Sequence, residues 1–246
     1  MDLIIQGIEI ETSDLRQLAK LSGASKIERI NGNAFRLIDA SQRDRISSLC
    51  LEAELDFAFV DEPKSLNQFR LIAMDMDSTL VGIETIDEIA DIHGMRKQVA
   101  EITEKAMYGE IDFSEGLIQR VALLKGLEHS VLQRVYDERL IFNPGAEKML
   151  KKLKVAGIKT MLISGGFTFF TDKLKDRLGL DYTFANTLET VNGRLTGRLL
   201  GEVFGAKGKG WALNKICNEL GFRKENLIAI GDGANDLSMF AEAGVS

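Results

Sequence analysis

Two acidic residues, Asp75 and Asp77, stand two positions apart directly after a short uncharged segment, residues 71–74. An uncharged run of this length is typical of a strand buried on both faces of a parallel sheet. Open α/β sheets place their ligands beyond the carboxyl ends of such strands. Two carboxylates this close repel each other, so a proton or a cation must accompany them, and a divalent ion with oxygen ligands is favoured. A solvated turn at a strand end is the alternative that this pair alone leaves open.

Two more polar segments follow apolar runs later in the chain, after residues 158–163 and after residues 227–230. These segments and a predicted helix start between them supply Ser164 and Gly165, then Lys207 and Lys209, then Asp232, Asn235 and Asp236. The carboxyl ends of parallel strands meet at one edge of a sheet, so we expect these side chains to converge with the first acidic pair. Three polar strand ends beside a basic helix start indicate a functional site.

These residue types suit the hydrolysis of a phosphate monoester. Carboxylates without a neighbouring histidine or cysteine favour Mg²⁺ over zinc. A hydroxyl, glycine amides and a lysine can hold a phosphate group. One carboxylate can act as the nucleophile and form an aspartyl phosphate. A second carboxyl group can donate a proton to the leaving oxygen and later take one from water.

The composition excludes several classes of protein. The chain has 246 residues and a formal net charge of −6, which does not favour nucleic acid or an anionic membrane as a partner. No segment approaches the roughly 18 apolar residues that cross a bilayer, and the first residues show no secretory leader. The two cysteines lie far apart and outside any metal-binding spacing, as expected in a reducing compartment. We therefore expect a cytoplasmic protein with a small-molecule partner.

The first part of the chain, residues 1–60, shows the order strand, helix, strand, strand, helix, strand. This order predicts a small α+β ferredoxin-like (ACT-like) domain. An Asn-Gly-Asn turn signal at 31–33 separates its central strands, and Ser41 is a candidate cap for its second helix. The domain could bind a regulatory small molecule, pair subunits as a homodimer, or serve only in packing. Residues 61–69 are polar and contain a proline, which predicts a linker.

Residues 70–246 show alternating strands and helices, which predicts an α/β domain with a doubly wound parallel (Rossmann-like) sheet. Residues 81–142 interrupt this alternation with apolar residues at helical spacing. They predict a helical cap that covers the strand ends and excludes water. Local signals in this domain are a helix cap at Asn143, a hairpin turn at Asn192-Gly193 and a final helix from Asp236 to Ala243.

The motifs match a known family. They are Asp75-Met76-Asp77-Ser78-Thr79, Ser164-Gly165-Gly166-Phe167 and Gly231-Asp232-Gly233-Ala234-Asn235-Asp236, with Glu84, Gly109-Glu110-Ile111-Asp112-Phe113 and Arg120 in the cap. On these residues the chain resembles the haloacid dehalogenase superfamily, and within it the phosphoserine phosphatases. The likeness covers about residues 70–246. The family pattern continues beyond Gly244 with a further strand and helix, which these 246 residues do not include.

The resemblance implies a role for each matched residue. Asp75 would be the nucleophile, and Asp77 the general acid and base. Magnesium would be held by Asp75, the Asp77 carbonyl and Asp232, with Asp236 in support. The substrate's phosphate would be held by Ser164, Gly165, Lys209 and Asn235. Lys209, rather than Lys207, has the family's spacing of 23 residues before Asp232.

The implied reaction is the hydrolysis of O-phosphoserine to serine and phosphate, the last step of serine biosynthesis. Glu84 would pair with the substrate's ammonium group and Arg120 with its carboxylate. Two alternatives stay open from the sequence. The substrate could be phosphohomoserine or another small phosphate ester, or the chain could be a non-catalytic regulator that senses an amino acid through residues 1–60.

Overall fold

The computed structural model describes residues 1–61, 64–108 and 110–246, without the side chain of Met107. Two residues of the expected linker, Glu62 and Pro63, and Gly109 of the cap motif lie outside the described residues. The chain divides into two compact units, Met1–Ser65 and Leu66–Ser246. Among the described residues, every helix is too short or too polar to cross a membrane.

The first unit is built around one antiparallel sheet. Its elements are β1 (Asp2–Gln6), α1 (Thr12–Ser22), β2 (Lys26–Asn31), β3 (Ala34–Ile38), α2 (Ile46–Glu52) and β4 (Asp56–Val60). The strand order is β2-β3-β1-β4, and each neighbouring pair is antiparallel. Leu3, Ile5 and Leu37 are fully buried in its core. The predicted ferredoxin-like arrangement is confirmed.

Helix α2 begins later than the sequence suggested. Ser41 does not cap it: the helix starts at Ile46, after Arg45 in the left-handed region at φ 63°. The backbone N–H groups of Ser41 and Gln42 both donate to the Ser22 carbonyl at the end of α1, at 2.9 and 3.0 Å. These bonds hold the chain against α1 and delay the helical turn. A tertiary contact has therefore overridden a local capping signal.

The second unit is a five-stranded sheet with helices on both faces. Its elements are β5 (Leu71–Met74), α3 (Thr85–Ile92), α4 (Arg96–Met107), α5 (Phe113–Leu123), α6 (Ser130–Glu138), α7 (Ala146–Val155), β6 (Lys159–Phe167), α8 (Thr168–Leu178), β7 (Tyr182–Val191), β8 (Arg194–Leu200), α9 (Ala206–Leu220), β9 (Leu227–Ile230) and α10 (Leu237–Ala241). The order is β8-β7-β6-β5-β9, parallel except for the β7–β8 pair. The predicted doubly wound sheet is confirmed, with one antiparallel edge strand.

The central strand β5 shows why its segment carries no charge. All four of its residues are buried. Leu71 and Ala73 belong to one apolar core, and Ile72 and Met74 to the other. Because successive side chains of a strand point to opposite faces, β5 separates two cores and must be apolar throughout. Because β5 is fixed between the two cores, Asp75 and Asp77, which follow it, lie at the edge of the sheet.

The cap consists of α3 to α6, inserted between β5 and α7 as predicted. Its two ends are joined by a bridge between Val81 and Phe142. The hairpin formed by β7 and β8 turns at Asn192 and Gly193, as expected, with φ values of 50° and 75°. Backbone hydrogen bonds join this hairpin to the cap loop at residues 126–129, including His129 N–H to the Gly193 carbonyl at 2.8 Å. The cap is thus held at its chain connections and by the β7–β8 hairpin.

Two helix boundaries differ from the expectations. The side chain of Asn143 does not cap α7, which begins at Ala146. Its amide instead donates to the carbonyls of Ser78 and Thr79, at 3.3 and 2.8 Å, and so braces the loop after β5. The final helix is also shorter than predicted: residues 234–236 form a 3₁₀ turn before the five-residue α10, and α10 ends at Ala241 and not at Ala243.

Candidate active site

The loop after β5 places Asp75 and Asp77 in different surroundings. Asp75 is 4% exposed, and its Oδ1 accepts a hydrogen bond from the Met76 N–H at 2.7 Å. Asp77 Oδ1 accepts the Thr85 N–H at 2.8 Å, and its Oδ2 accepts the Ser164 hydroxyl at 3.3 Å. Ser78 turns the chain with φ 55°, in the left-handed region. This sparsely populated conformation next to two carboxyl groups is typical of a functional loop.

A buried lysine joins the first and third polar strand ends. Lys209 Nζ lies 2.6 Å from Asp75 Oδ2 and 2.7 Å from Asp236 Oδ1, and the Lys209 and Asp236 side chains are fully buried. Buried charges must be paired, so the lysine needs both carboxylates and they need the lysine. Lys207, two residues earlier in α9, is exposed. The structure therefore brings Lys209 into the site and leaves Lys207 at the surface.

Three carboxyl groups could hold a metal ion together. Oxygens of Asp75, Asp232 and Asp236 lie within 4.8 Å of one another. The Thr79 hydroxyl donates to Asp232 Oδ1 at 2.8 Å and orients it. The donor set consists of carboxylate oxygens, which fits a hard divalent cation. The structure places Asp236 in this group directly, whereas the sequence assigned it a supporting part.

The loop after Ile163 brings a hydroxyl and backbone amides to the same edge. Ser164 is fully buried, and its Oγ accepts the Gly166 N–H at 2.8 Å. A Cβ on Gly166 would lie 2.8 Å from Asp77 Oδ2, so only glycine fits this close approach. Asn235 is half-buried, with Nδ2 3.5 Å from Asp75 Oδ2. The site is thus walled by hydroxyl, amide and carboxylate groups.

The two acidic residues of the first motif titrate above the usual range. Burial raises the pKa of Asp75 to about 6, with Lys209 opposing the rise and Asp236 adding to it. Burial and the nearby Glu84 carboxylate raise the pKa of Asp77 to about 7, against the Thr85 N–H. Asp77 can therefore carry a proton near neutral pH, while the ammonium group beside Asp75 favours its ionised form. One carboxyl group is suited to be an acid and the other a nucleophile.

The cap contributes charged groups of both signs. The Ser78 hydroxyl donates to Glu84 Oε1 at 2.6 Å, at a solvent-accessible position. Arg120 is half-buried on α5, and its Nε donates to the Gly116 carbonyl at 3.3 Å. Burial lowers the pKa of Arg120, while the carboxylates of Asp87, Glu84 and Asp77 oppose that change. An arginine and several carboxylates therefore face one another where the cap meets the sheet edge.

The first residue of α5 rests on the sheet domain. A Cβ on Gly165 would lie 2.8 Å from Phe113 Cζ, and one on Gly205 would lie 3.0 Å from Phe113 Cδ1. Phe113 therefore occupies space that two glycines leave free. We call these two glycines the glycine floor. This contact places the cap directly over the phosphate-binding candidates.

The ten expected site residues lie on two sides of one region, the sheet edge and the cap. The sheet edge holds Asp75, Asp77, Ser164, Gly165, Lys209, Asp232, Asn235 and Asp236, and the cap side holds Glu84 and Arg120. The sequence analysis named Thr79 in its first motif without giving it a role, and it missed Thr85 and Asp87. Asp87 lies three residues after Glu84 on α3, and this helical spacing was the available signal. The hydroxyl of Thr85 is buried without a hydrogen-bond partner among the described residues.

Comparisons with known proteins agree with this geometry. Residues 69–244 match the family of haloacid dehalogenase-like hydrolases, and residues 3–46 match a domain of unknown function. A phosphoserine phosphatase of Polaromonas sp. is 52% identical over 186 residues, 74% of this chain and 79% of that protein. The unliganded structure of a probable phosphoserine phosphatase from Vibrio cholerae is 36% identical, with a TM-score of 0.80 over 99% of this chain and 76% of that one. A phosphoserine phosphatase structure described as a phospho-aspartyl intermediate analogue is 45% identical, with a TM-score of 0.67 over 72% of this chain and 84% of that one.

Proposed function

This chain belongs to the haloacid dehalogenase-like hydrolase family and is a phosphatase, and from that premise we propose that it hydrolyses O-phosphoserine to serine and inorganic phosphate with Mg²⁺. The reaction would be the last step of serine biosynthesis, in the cytoplasm. The phosphoserine phosphatases that it resembles support this substrate. The non-catalytic regulator considered from the sequence finds no support in these relatives.

In the first step of the proposed mechanism, a carboxylate oxygen of Asp75 attacks phosphorus. The bond between phosphorus and the serine oxygen breaks, and that oxygen takes the proton from Asp77. The raised pKa of Asp77, about 7, supports this role because the acid is still partly protonated at neutral pH. Lys209 beside Asp75 supports the nucleophilic role by keeping a positive charge next to the attacking oxygen and the phosphate.

In the second step, water attacks the phosphorus of the aspartyl phosphate. The ionised Asp77 takes a proton from that water, and the bond between phosphorus and the Asp75 oxygen breaks. Inorganic phosphate leaves, and Asp75 is restored as a carboxylate. One residue thus serves as acid and then as base, which requires that it alternate between its two protonation states in each cycle.

The acidic cluster supports the choice of Mg²⁺. Asp75, Asp232 and Asp236 would hold the ion through oxygen atoms, and the Asp77 carbonyl is a further candidate ligand. A bound divalent cation would neutralise charge on the phosphoryl oxygens. Ser164 and the amide of Gly165 would hold the other phosphate oxygens.

The charged residues of the cap are the basis for proposing phosphoserine as the substrate. Phosphoserine bears an ammonium group and a carboxylate beyond its phosphate. Glu84 would pair with the first and Arg120 with the second, and the position of Arg120 among the carboxylates of the cap and of Asp77 supports this arrangement. A site built to pair such charges rejects an ester that lacks them, because its own charges would be left unmatched.

The substrate test compares variants of Arg120 on two esters. Arg120→Lys keeps the charge but loses the bidentate fork, and Arg120→Ala loses both. Each should lower kcat/KM for phosphoserine by ~10-fold or more, which is the loss of about 1.4 kcal/mol of charge-assisted pairing. Neither should greatly change kcat/KM for p-nitrophenyl phosphate, which has no carboxylate.

The control variant is Arg134→Ala, in an exposed arginine of the cap that pairs with Glu138. It should leave both substrates unchanged. Equal losses on both esters in the Arg120 variants would refute a role in reading the carboxylate. A higher kcat/KM for phosphohomoserine than for phosphoserine in the unmodified protein would select the alternative substrate. Activity that survives EDTA without added Mg²⁺ would refute the metal requirement.

The role of the first unit stays a prediction. Its ferredoxin-like sheet could bind a regulatory small molecule or pair two subunits as a homodimer. Thermal unfolding of the protein with candidate amino acids, and its mass in solution, would test these two possibilities separately.

A further inference from the structure

Strand β7 carries a buried side-chain amide behind the active site. Asn186 is 3% exposed. Its Nδ2 donates to the carbonyls of Gly165 and Phe204, both at 2.9 Å, and its Oδ1 accepts the Phe204 N–H at 2.7 Å. Both N–H bonds and the carbonyl of the amide are therefore used. The mechanism proposed above assigns no task to this residue.

The first partner of Asn186 belongs to an irregular part of the sheet. Strands β6 and β7 pair at Ile163 with Phe184 and next at Phe167 with Asn186, so four steps on β6 oppose two on β7. Residues 164–166 therefore oppose the single residue Ala185 and leave the regular ladder, as is common next to active sites. The Gly165 carbonyl in this bulge accepts the Asn186 amide. Asn186 thus anchors the backbone of the candidate phosphate loop.

The second partner leads into the helix that bears Lys209. Phe204 is followed by Gly205, the residue before α9, and the Gly205 carbonyl accepts the Lys209 N–H at 3.2 Å. Asn186 therefore fixes the separation between the loop of Gly165 and the start of α9. Gly165 and Gly205 are also the glycine floor on which Phe113 of the cap rests. One side chain links both phosphate-binding elements and the seat of the cap.

We infer that Asn186 is a positioning residue for phosphate binding, acting through the backbones of Gly165 and Phe204. This inference rests on the proposed role of Ser164, Gly165 and Lys209 in holding the phosphate. This position requires a side-chain amide, because it must donate to two carbonyls and accept from one N–H. A carboxylate of the same shape could accept from Phe204 N–H but would repel both carbonyls. An aliphatic side chain would leave all three groups unpaired.

The test uses inorganic phosphate as a probe of the phosphate site. Asn186→Asp and Asn186→Ala should each weaken competitive inhibition by inorganic phosphate ~10-fold or more. They should also lower kcat/KM for phosphoserine and for p-nitrophenyl phosphate by similar factors, because both share the phosphate group. Asn186→Asp should be at least as impaired as Asn186→Ala, although it keeps the shape of the side chain. Asn186→Ser, which retains a hydroxyl donor, should recover part of the phosphate affinity and also serves if the first two variants fold poorly.

A matched control separates positioning from simple destabilisation. Thr160→Val removes a buried hydroxyl near the opposite end of β6, where it bonds Asp181 at 3.2 Å. It should lower Tm while leaving the inhibition constant for phosphate within about twofold of the unmodified protein, since its bonds lie far from the site. Unchanged phosphate inhibition in folded Asn186→Ala or Asn186→Asp protein would overturn the inference, and if neither of these folds, unchanged inhibition in Asn186→Ser would do so. Absence of phosphoserine turnover alongside normal p-nitrophenyl phosphate turnover in the unmodified protein would instead overturn the proposed substrate only.

Discussion

Two carboxyl groups, Asp75 and Asp77, differ in chemistry because their partners differ. Asp75 lies against the Lys209 ammonium at 2.6 Å. Asp77 has a backbone N–H and a hydroxyl as partners, and the negative Glu84 adds to the rise of its pKa. Burial favours the protonated form of both groups, and the ammonium group beside Asp75 opposes this effect at Asp75. This difference supports the proposed roles of Asp75 as nucleophile and Asp77 as acid.

Replacement of the proposed nucleophile tests the covalent step. Asp75→Asn should retain the fold, because the amide is close to the carboxyl group in shape, and should show no turnover above background, because an amide is a poor nucleophile. Steady-state assays with phosphoserine, together with circular dichroism to verify folding, provide the measurement. Turnover at the unmodified rate would exclude Asp75 as the phosphorylated group.

Replacement of the proposed acid tests its proton. The serine alkoxide is a poor leaving group and needs protonation, whereas p-nitrophenolate does not. In single-turnover measurements of the first step, Asp77→Asn should therefore lose far more rate with phosphoserine than with p-nitrophenyl phosphate. Equal losses on the two esters would show that Asp77 acts through its charge and not through its proton.

The raised pKa of Asp77 also predicts how stability depends on pH. Between the ordinary value of 3.8 and about 7 the folded protein binds more protons at this group than the unfolded chain, so the stability that it contributes at low pH falls as the pH rises. Asp77→Asn removes this loss. In EDTA, the Tm of the variant minus that of the unmodified protein should increase from pH 4 to pH 8.

An exposed carboxyl group provides the control for that experiment. Asp176→Asn, on the solvent side of α8, should give a Tm difference that hardly changes over the same pH range. If the Asp77→Asn difference is equally flat, burial does not hold a proton on Asp77.

At the scale of elements, the cap is positioned by a close contact between Phe113 and the two glycines beneath it. Phe113 at the start of α5 lies on the glycine floor, and Arg120 lies two turns further along the same helix. The contact of Phe113 with the two glycines therefore sets the distance of Arg120 from the sheet edge, because both residues lie on the same rigid helix.

A methyl group added at Gly165 should displace α5. In Gly165→Ala the new Cβ would lie 2.8 Å from Phe113 Cζ, a distance that forces the ring to move. We expect kcat/KM for phosphoserine to fall by ~10-fold, because small displacements of a recognition helix weaken several contacts together. Gly32→Ala, whose Cβ would have only the end of the Arg29 side chain nearby at 3.8 Å, is the control and should have unchanged activity. A fully active Gly165→Ala protein would show that the contact does not position the cap.

The strands and the motifs of the candidate site could be recognised in the sequence because their signals are local. The four uncharged residues of β5, with Asp75 directly after them, needed no knowledge of the rest of the chain. Helix starts were less predictable. Ser41 and Asn143 both have the right side chain for a cap, yet the Ser41 backbone N–H and the Asn143 side-chain amide donate to distant backbone carbonyls instead. Asn186 could not be found for the same reason. Its partners are 21 and 18 residues away, and only the folded sheet brings them together.

At the scale of the whole molecule, the catalytic residues proposed here all lie in the second unit. The match to the haloacid dehalogenase-like hydrolase family covers residues 69–244, and this range lies within the second unit. The chemistry should accordingly need only the unit that begins at Leu66.

Removal of the first unit tests this division. A protein that starts at Leu66 should fold and retain Mg²⁺-dependent phosphatase activity, with kcat close to that of the full chain. Its circular dichroism spectrum and its melting curve should establish folding before activity is measured. Loss of activity in a folded protein of this length would reveal that residues 1–65 contribute to the site.

The two attachments of the cap have a mechanical consequence. One is the bridge between Val81 and Phe142, and the other joins the cap loop at 126–129 to the hairpin of β7 and β8. Phe113 on the glycine floor is a third contact. The chain enters and leaves the cap at residues that this bridge joins, so the two chain connections can turn together as one hinge. Rotation of the cap about this hinge has to separate Phe113 from the glycine floor and break the hydrogen bonds at 126–129. The rates of substrate entry and product release should therefore depend on these contacts.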